Sequence, residues 1–166
     1  DYHASVFVDF TTYPARVVAT YKNNRITPIE FGDEIVAQGD IFGRCLVAPE
    51  NNKFDACIGR IREHQYENIF IMPDPERRAG QPTRTRQYGW NTNTTMLQRL
   101  RKWVSNGWLE LSDPELIAEA RALTRDDVMD RDLDPRLTKR HFDKLMACAI
   151  AVMMHEHAGS HTPSET

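Results

Sequence analysis

The sequence predicts an α/β fold in which helices flank a mixed sheet. Two β-rich runs, Ala4–Phe10 and Ala15–Tyr21, are joined by Thr-Thr-Tyr-Pro, a pattern that predicts an antiparallel hairpin. Residues 44–72 then follow the order strand, helix, strand. This order favours parallel pairing, because parallel neighbours need a crossover connection that is usually a helix. Antiparallel and parallel pairs in one chain together predict a mixed sheet.

Capping residues mark the predicted helix starts. Thr27-Pro28-Ile29-Glu30 is a capping box with proline at the first helical position, which predicts a helix over 28–42. Asn51 or Asn52 caps a second predicted helix, which presents Phe54, Cys57, Ile58 and Ile61 on one face. Later helices are predicted to start at Thr94 or Thr95, at Asp113-Pro114 and at Lys139, the last one running to His157. An edge strand is predicted over 108–111.

The composition excludes several classes of protein. The 166 residues, 40% hydrophobic and 27% charged, suit one globular domain, which we place at residues 1–157, with a disordered tail at 158–166. The longest apolar run, Leu145–Met154, is too short for a membrane helix of about 20 residues, so no membrane partner is expected. Cys45, Cys57 and Cys148 are odd in number and lack Cys-x-x-Cys spacing, which predicts buried thiols in a reducing compartment.

Charge is distributed unevenly along the chain. The region from 77 to 102 contains no acid and seven cationic side chains: Arg77, Arg78, Arg84, Arg86, Arg99, Arg101 and Lys102. The region from 110 to 134 contains nine acids against three arginines. A basic stretch of this kind can bind a polyanion, and it can equally be a solvated surface. The segment from Pro73 to Gln87 has no apolar periodicity, so we expect a long exposed connection there.

Two carboxylates occupy positions typical of active sites. Glu50 follows a predicted strand and precedes a helix, at the edge where open α/β sheets bind their ligands, although a strand-end Glu is also an ordinary surface residue. Asp143 lies in the first turn of an apolar helix, where a favourable interaction with the helix dipole is the alternative role. Such a pair can share a divalent metal, because Mg²⁺ prefers carboxylate oxygens. His141 lies beside Asp143 and is a candidate contact to phosphate or water.

Seven segments, in this order, carry a family resemblance: Asp1-Tyr2-His3-Ala4, Val6–Asp9, Arg16–Tyr21, Cys45-Leu46-Val47-Ala48-Pro49-Glu50-Asn51-Asn52, Tyr66-Glu67-Asn68-Ile69-Phe70, Tyr88-Gly89-Trp90-Asn91-Thr92-Asn93 and His141-Phe142-Asp143-Lys144-Leu145-Met146-Ala147. Together they resemble the nuclease domain of the large terminase subunit of tailed bacteriophages. The resemblance covers most of the chain and is least specific between about 110 and 138. It implies an RNase H-like mixed sheet with a cluster of acids that binds Mg²⁺ or Mn²⁺ and hydrolyses DNA phosphodiesters.

The resemblance also implies roles for individual residues. Glu50 and Asp143 match the catalytic, metal-binding acids, and Asp1 matches an additional metal-binding acid. His141 and Lys144 are accessory residues, and the seven cations of the basic region would bind DNA. Phe142 stands where many relatives have the first Asp of a pair. The strand that carries the family's first catalytic Asp precedes the Asp-Tyr-x-Ala motif, so we expect that strand to be missing from this chain.

The function implied is that of a metal-dependent endonuclease domain, which cuts concatemeric double-stranded viral DNA during genome packaging. The expected partners are double-stranded DNA, an ATPase domain on the N-terminal side, the portal and the small terminase subunit. The expected location is the host cell cytoplasm, at the viral procapsid. The alternative is a DNA-clamping or motor-docking module with a degenerate site that does not cut. We expect residues 1–166 to be weakly active or inactive without the preceding strand.

Overall fold

The computed structural model describes residues 2–51, 55–72, 87–123 and 142–158. Within these ranges the elements, in chain order, are β1 His3–Asp9, β2 Ala15–Asn23, α1 Pro28–Ile41, α2 Asp55–Glu63, α3 Thr94–Ser105, β3 Leu109–Glu110, α4 Pro114–Ala122, α5 Asp143–Met153 and α6 His155–Ala158. The chain divides into two compact units. The first contains residues 1–26 and 92–166, and the second contains residues 27–91.

The first unit is built on a small mixed sheet with strand order β1-β2-β3. β1 and β2 are antiparallel, with His3 opposite Asn23 and Asp9 opposite Arg16, whereas β3 is parallel to β2. Helix α5 packs on β1 and on α3, and its buried residues Leu145, Cys148 and Val152 form the centre of the core. The predicted hairpin and the predicted α/β class with a mixed sheet are therefore confirmed.

The second unit contains α1 packed against α2. Helix α1 starts at the predicted capping box, in which Thr27 Oγ1 accepts from the Glu30 N–H at 3.2 Å and Glu30 Oε2 accepts from the Thr27 N–H at 2.7 Å. A Cβ at Gly32 would lie 2.8 Å from Cβ of Arg60, so the glycine allows the close approach of the two helices. The helix predicted over 28–42 is confirmed to within one residue.

The parallel pairing predicted for residues 44–72 is observed, but it is limited to a single bridge. This bridge joins Val47, which precedes α2 in the chain, to Ile69, which follows α2. The Val47 N–H donates to Asn68 O at 2.9 Å, and the Phe70 N–H donates to Val47 O at 2.8 Å. The strand predicted over 44–48 is reduced to the bridge at Val47, and Arg44 has a φ of 57°, which lies outside the β region.

Three predicted helix boundaries differ from the structure. Helix α3 is capped by Asn93, whose Oδ1 accepts from the Met96 N–H at 3.1 Å, so the predicted caps Thr94 and Thr95 were wrong by one or two residues. Helix α5 begins at Asp143 rather than Lys139, because Phe142 has a non-helical ψ of 41°. It also ends at Met153, before the short α6. Residues 52–54, 139–141 and the predicted tail from 159 lie outside the described residues.

The described cysteines are free thiols. Cys57 and Cys148 are buried, as predicted, whereas Cys45 is half-buried. Burial raises the pKa of Cys57 and of Cys148 to about 12, so both remain protonated and unreactive near neutral pH. None of the helices in the described ranges combines the length and the apolar content that crossing a bilayer requires.

Candidate active site

Glu50 lies in the second unit, three residues after the bridge residue Val47. It forms an isolated parallel bridge with Trp90. The Trp90 N–H donates to Pro49 O at 2.8 Å, and the Asn51 N–H donates to Trp90 O at 2.9 Å. Trp90 therefore fixes the backbone on both sides of Glu50, while the position of Glu50 at the end of a full strand stays a prediction.

Gly89 allows this segment to lie against the backbone of Glu50. Its φ is 88°, and its N–H donates to Phe70 O at 2.8 Å. A Cβ on this residue would overlap the carbonyl oxygen of Pro49 and would lie 3.2 Å from the carbonyl carbon of the same residue. Only glycine fits both the conformation and the space. The structure thus gives a physical reason for the glycine in the Tyr-Gly-Trp segment.

Asp143 lies in the first unit, as the first residue of α5. Its side chain is 27% exposed, but its Oδ2 atom is buried and has no hydrogen-bond partner among the described residues. Lys22 Nζ lies 3.6 Å from this oxygen, which is an ion pair too long to be a hydrogen bond. The carboxylate therefore retains an oxygen whose hydrogen-bonding capacity is unused.

Lys22, on β2, is the cation that faces Asp143. Its side chain is 11% exposed, and its Nζ lies 2.9 Å from Glu115 Oε1 and 3.0 Å from Glu119 Oε1. It also lies 4.9 Å from the centre of the Tyr2 ring. Burial alone would lower the pKa of Lys22, but the two carboxylates outweigh that effect and raise it. Lys22 therefore remains charged next to Asp143.

Lys144 follows Asp143 and binds acids at the start of α4. Its Nζ lies 2.9 Å from Asp113 Oδ2 and 2.8 Å from Glu115 Oε2. Asp113 also accepts from the Thr20 hydroxyl and caps α4 through the Glu115 and Leu116 N–H groups. Burial would raise the pKa of Asp113, but these hydrogen bonds outweigh burial and lower it. The contacts of Lys144 link α5 to α4, and its accessory role in the chemistry stays a prediction.

Glu119 completes a group that we call the lysine–carboxylate cluster, which consists of Lys22, Lys144, Asp113, Glu115, Glu119 and Asp143. Glu119 is 8% exposed, and burial raises its pKa. Its Oε2 accepts from the Leu145 N–H at 2.8 Å. A role for Glu119 was not predicted. The sequence feature that could have indicated one is its position three residues after Leu116, which places this acid on the buried side of α4.

The lysine–carboxylate cluster leaves few oxygens for a divalent metal. Asp113, Glu115 and Glu119 already bind lysine or backbone N–H groups through their carboxylate oxygens. Asp143, with an unpartnered oxygen, fits a metal ligand. Within the described ranges no three His, Cys, Asp or Glu side chains are grouped so that they could hold a metal. Glu50 belongs to the other unit, and the predicted residues Asp1 and His141 lie outside the described residues.

The basic residues differ in their surroundings. Arg99 Nη1 lies 3.2 Å from Glu156 Oε1, which leaves the guanidinium partly compensated. Arg101 and Lys102 are exposed, and Lys102 Nζ lies 5.8 Å from the centre of the Trp108 ring. Arg77, Arg78, Arg84 and Arg86 lie outside the described residues. DNA binding by these seven residues stays a prediction.

Comparison with known proteins does not identify a family. No protein-family model matches the chain, and no curated protein matches it in sequence. Any function therefore has to be argued from the residues, from their arrangement and from the motif resemblance described above.

Proposed function

We propose that the chain is an RNase H-like nuclease domain of a viral DNA-packaging motor, which cuts concatemeric double-stranded DNA with Mg²⁺ or Mn²⁺. The observation that carries the proposal is the buried Oδ2 of Asp143, which has no hydrogen-bond partner within the part of the chain that the structure describes. A buried polar atom without a partner is costly, and a catalytic role or a bound ion is one explanation for it. This one belongs to the motif that resembles the helix start of terminase nucleases.

The fold is compatible with this proposal. The first unit has an antiparallel hairpin in a mixed sheet, with α5 packed on β1, so that Asp143 stands at the start of a helix that lies against the sheet. The second unit has a parallel bridge that ends just before Glu50. Both features support the RNase H-like assignment, in which acids at a strand end and a helix start serve one site.

The proposed mechanism assigns separate tasks to the residues of the chain. Glu50 and Asp143 would hold the metal, which when bound would activate the attacking water and stabilise charge on the phosphate. Trp90 and Gly89 hold the backbone of Glu50 in place. Lys22, whose Nζ lies 3.6 Å from Asp143 Oδ2, offsets part of the charge of that carboxylate. Arg101 and Lys102 would contact DNA phosphates without reading the sequence of bases.

The proposal includes the partners implied by the resemblance. These are double-stranded DNA, an ATPase domain that precedes this domain, the portal and the small terminase subunit. The place of action would be the procapsid in the cytoplasm of the host cell.

One observation favours the alternative, a DNA-clamping or motor-docking module that does not cut. Phe142 is only 4% exposed and is apolar, so the position beside Asp143 contributes to the core and offers no second ligand. A site with fewer carboxylates holds a divalent ion less tightly. The two functions share DNA binding and differ in cleavage.

A plasmid-nicking assay separates the two functions. We expect Mg²⁺- or Mn²⁺-dependent nicking of supercoiled plasmid that EDTA abolishes. DNA binding is measured on the same preparation. DNA binding without metal-dependent nicking would establish the alternative and refute the nuclease.

DNA binding by Arg101 and Lys102, two exposed cations of α3, has its own test. Replacing Arg101 and Lys102 with Ala should weaken binding to all duplex sequences alike. It should also reduce the slope of log affinity against log salt by about 0.9 for each lost phosphate contact. The matched control replaces Arg25 and Arg121 with Ala. Both arginines are exposed, and their replacement removes the same amount of positive charge. An equal change of slope in both double variants would show that the net charge of the protein, and not Arg101 and Lys102 in particular, determines DNA binding.

A further inference from the structure

We propose that Arg62 binds a phosphate of the DNA strand that passes Glu50, an inference that rests on the proposed nuclease function. Arg62 lies in the last turn of α2 and is exposed. Its guanidinium carbon lies 4.7 Å from the centre of the Tyr88 ring. A guanidinium at this distance over an aromatic ring is held by a cation–π interaction. The side chain is therefore oriented before any ligand binds.

The charge of Arg62 is available to a ligand, unlike that of two other arginines of the second unit. Arg44 pairs with Asp40 at 3.4 Å, and Arg60 pairs with Asp33 at 2.7 Å. Arg62 has no ion pair with any acid of the described residues. A guanidinium that stacks on a ring keeps its N–H groups at the edge of its plane, where they match two oxygens of a phosphate. Arg62 thus has the geometry of an anion-binding group that no acid of the described residues occupies.

The backbone of the Tyr-Gly-Trp segment places Tyr88 near Glu50. Tyr88 forms an antiparallel bridge with Ile71 and lies two residues before Trp90, the bridge partner of Glu50. Two residues span at most about 7 Å, and bridged chains lie about 5 Å apart, so the Cα atoms of Tyr88 and Glu50 lie within about 12 Å of each other. One strand of duplex DNA has a phosphate about every 3.4 Å along the helix axis. A strand with one phosphate at Glu50 therefore offers a nearby phosphate to Arg62.

Arg44 provides a matched control. Its guanidinium carbon lies 4.9 Å from the centre of the Tyr66 ring, so it also stacks on a tyrosine. It differs from Arg62 in its partners, because its Nε lies 3.4 Å from Asp40 Oδ1 and its Nη2 donates to Gln65 O at 3.3 Å. Arg44→Ala and Arg62→Ala remove the same charge from the same unit. A general loss of positive charge would affect DNA binding equally in both variants, whereas phosphate binding is expected of Arg62 alone.

The test measures the affinity of each variant for a short duplex DNA in EDTA, where no metal-dependent cleavage takes place. We expect the dissociation constant of Arg62→Ala to rise about five- to tenfold at low salt, as for the loss of a charge-assisted contact at an exposed site. The slope of log affinity against log salt should fall by about 0.9, the value for one phosphate contact. Arg62→Lys should restore the slope but not the full affinity, because an ammonium lacks the planar fork. Arg44→Ala should change the affinity by less than about twofold.

Melting temperatures separate a phosphate contact from a purely structural role of Arg62. A lowered melting temperature in Arg62→Ala with an unchanged salt slope would overturn the inference. Equal losses of affinity in Arg62→Ala and Arg44→Ala would also overturn it, because they would reveal a general effect of charge. Duplex binding that depends on Arg62, without metal-dependent nicking, would support the phosphate contact and refute the nuclease. Absence of duplex binding by the unaltered protein would refute both.

Discussion

Asp143→Asn is expected to lower the rate of metal-dependent DNA cleavage by about 100-fold or more, and Glu50→Gln is expected to do the same. Each change removes a carboxylate that would hold the metal, whose contribution to the transition state is several kcal/mol. Each 1.36 kcal/mol corresponds to a factor of ten in rate. The rates are measured by plasmid nicking at saturating Mg²⁺, with the melting temperature recorded for each variant.

The control variants make the same chemical change at exposed carboxylates. Asp40→Asn matches Asp143→Asn, and Glu67→Gln matches Glu50→Gln; both control side chains lie on the surface of the second unit. Their cleavage rates should equal that of the unaltered protein. Two results would show that Asp143 has no part in the chemistry. One is an Asp143→Asn protein that keeps most of its cleavage activity, and the other is a control variant that loses as much activity as Asp143→Asn.

Gly89→Ala is expected to lower the free energy of unfolding by at least about 2 kcal/mol. A non-glycine residue with positive φ costs about 1–3 kcal/mol, and here the added Cβ would also overlap the carbonyl oxygen of Pro49. Because relief of this overlap moves the backbone next to Glu50, cleavage should fall along with stability. Urea denaturation measures the first effect, and plasmid nicking well below the melting temperature measures the second.

Gly43→Ala separates the cost of a positive φ from the cost of the steric overlap. Gly43 has a φ of 67°, close to that of Gly89, but a Cβ there would meet no atom within 4 Å. It therefore carries the conformational cost without the steric one, and it should leave the cleavage rate unchanged. Equal losses of stability in the two variants would show that contact with Pro49 contributes nothing. Full cleavage activity in Gly89→Ala would show that the segment does not position Glu50.

The features that could be predicted from the sequence are local in the chain. The β1–β2 hairpin follows from two adjacent β-rich runs, and the start of α1 follows from a capping box whose two partners are three residues apart. The parallel pairing of Val47 with Ile69 follows from the order of the elements between them. In each case the stabilising interaction lies within one short segment or one crossover.

The lysine–carboxylate cluster could not be predicted in this way, because its pairs are far apart in the chain. Lys22 and Glu119 are 97 residues apart, and the packing of α5 against both β2 and α4 brings their charges together. The bond from the Leu145 N–H to Glu119 was missed for the same reason, since its acceptor lies on another helix. The reduced strand at 44–48 was missed because sequence gives little indication of the left-handed conformation of Arg44.

The most direct test of the central proposal, that Glu50 and Asp143 are both metal ligands, is the Mn²⁺ affinity of a double-variant cycle. The cycle compares the unaltered protein, Glu50→Gln, Asp143→Asn and the double variant by calorimetry. Residues that act on the same ion give effects that do not add. We predict that each single variant loses most of the affinity and that the double variant is hardly weaker than either. Effects that add, or a single variant that binds Mn²⁺ as tightly as the unaltered protein, would contradict the claim.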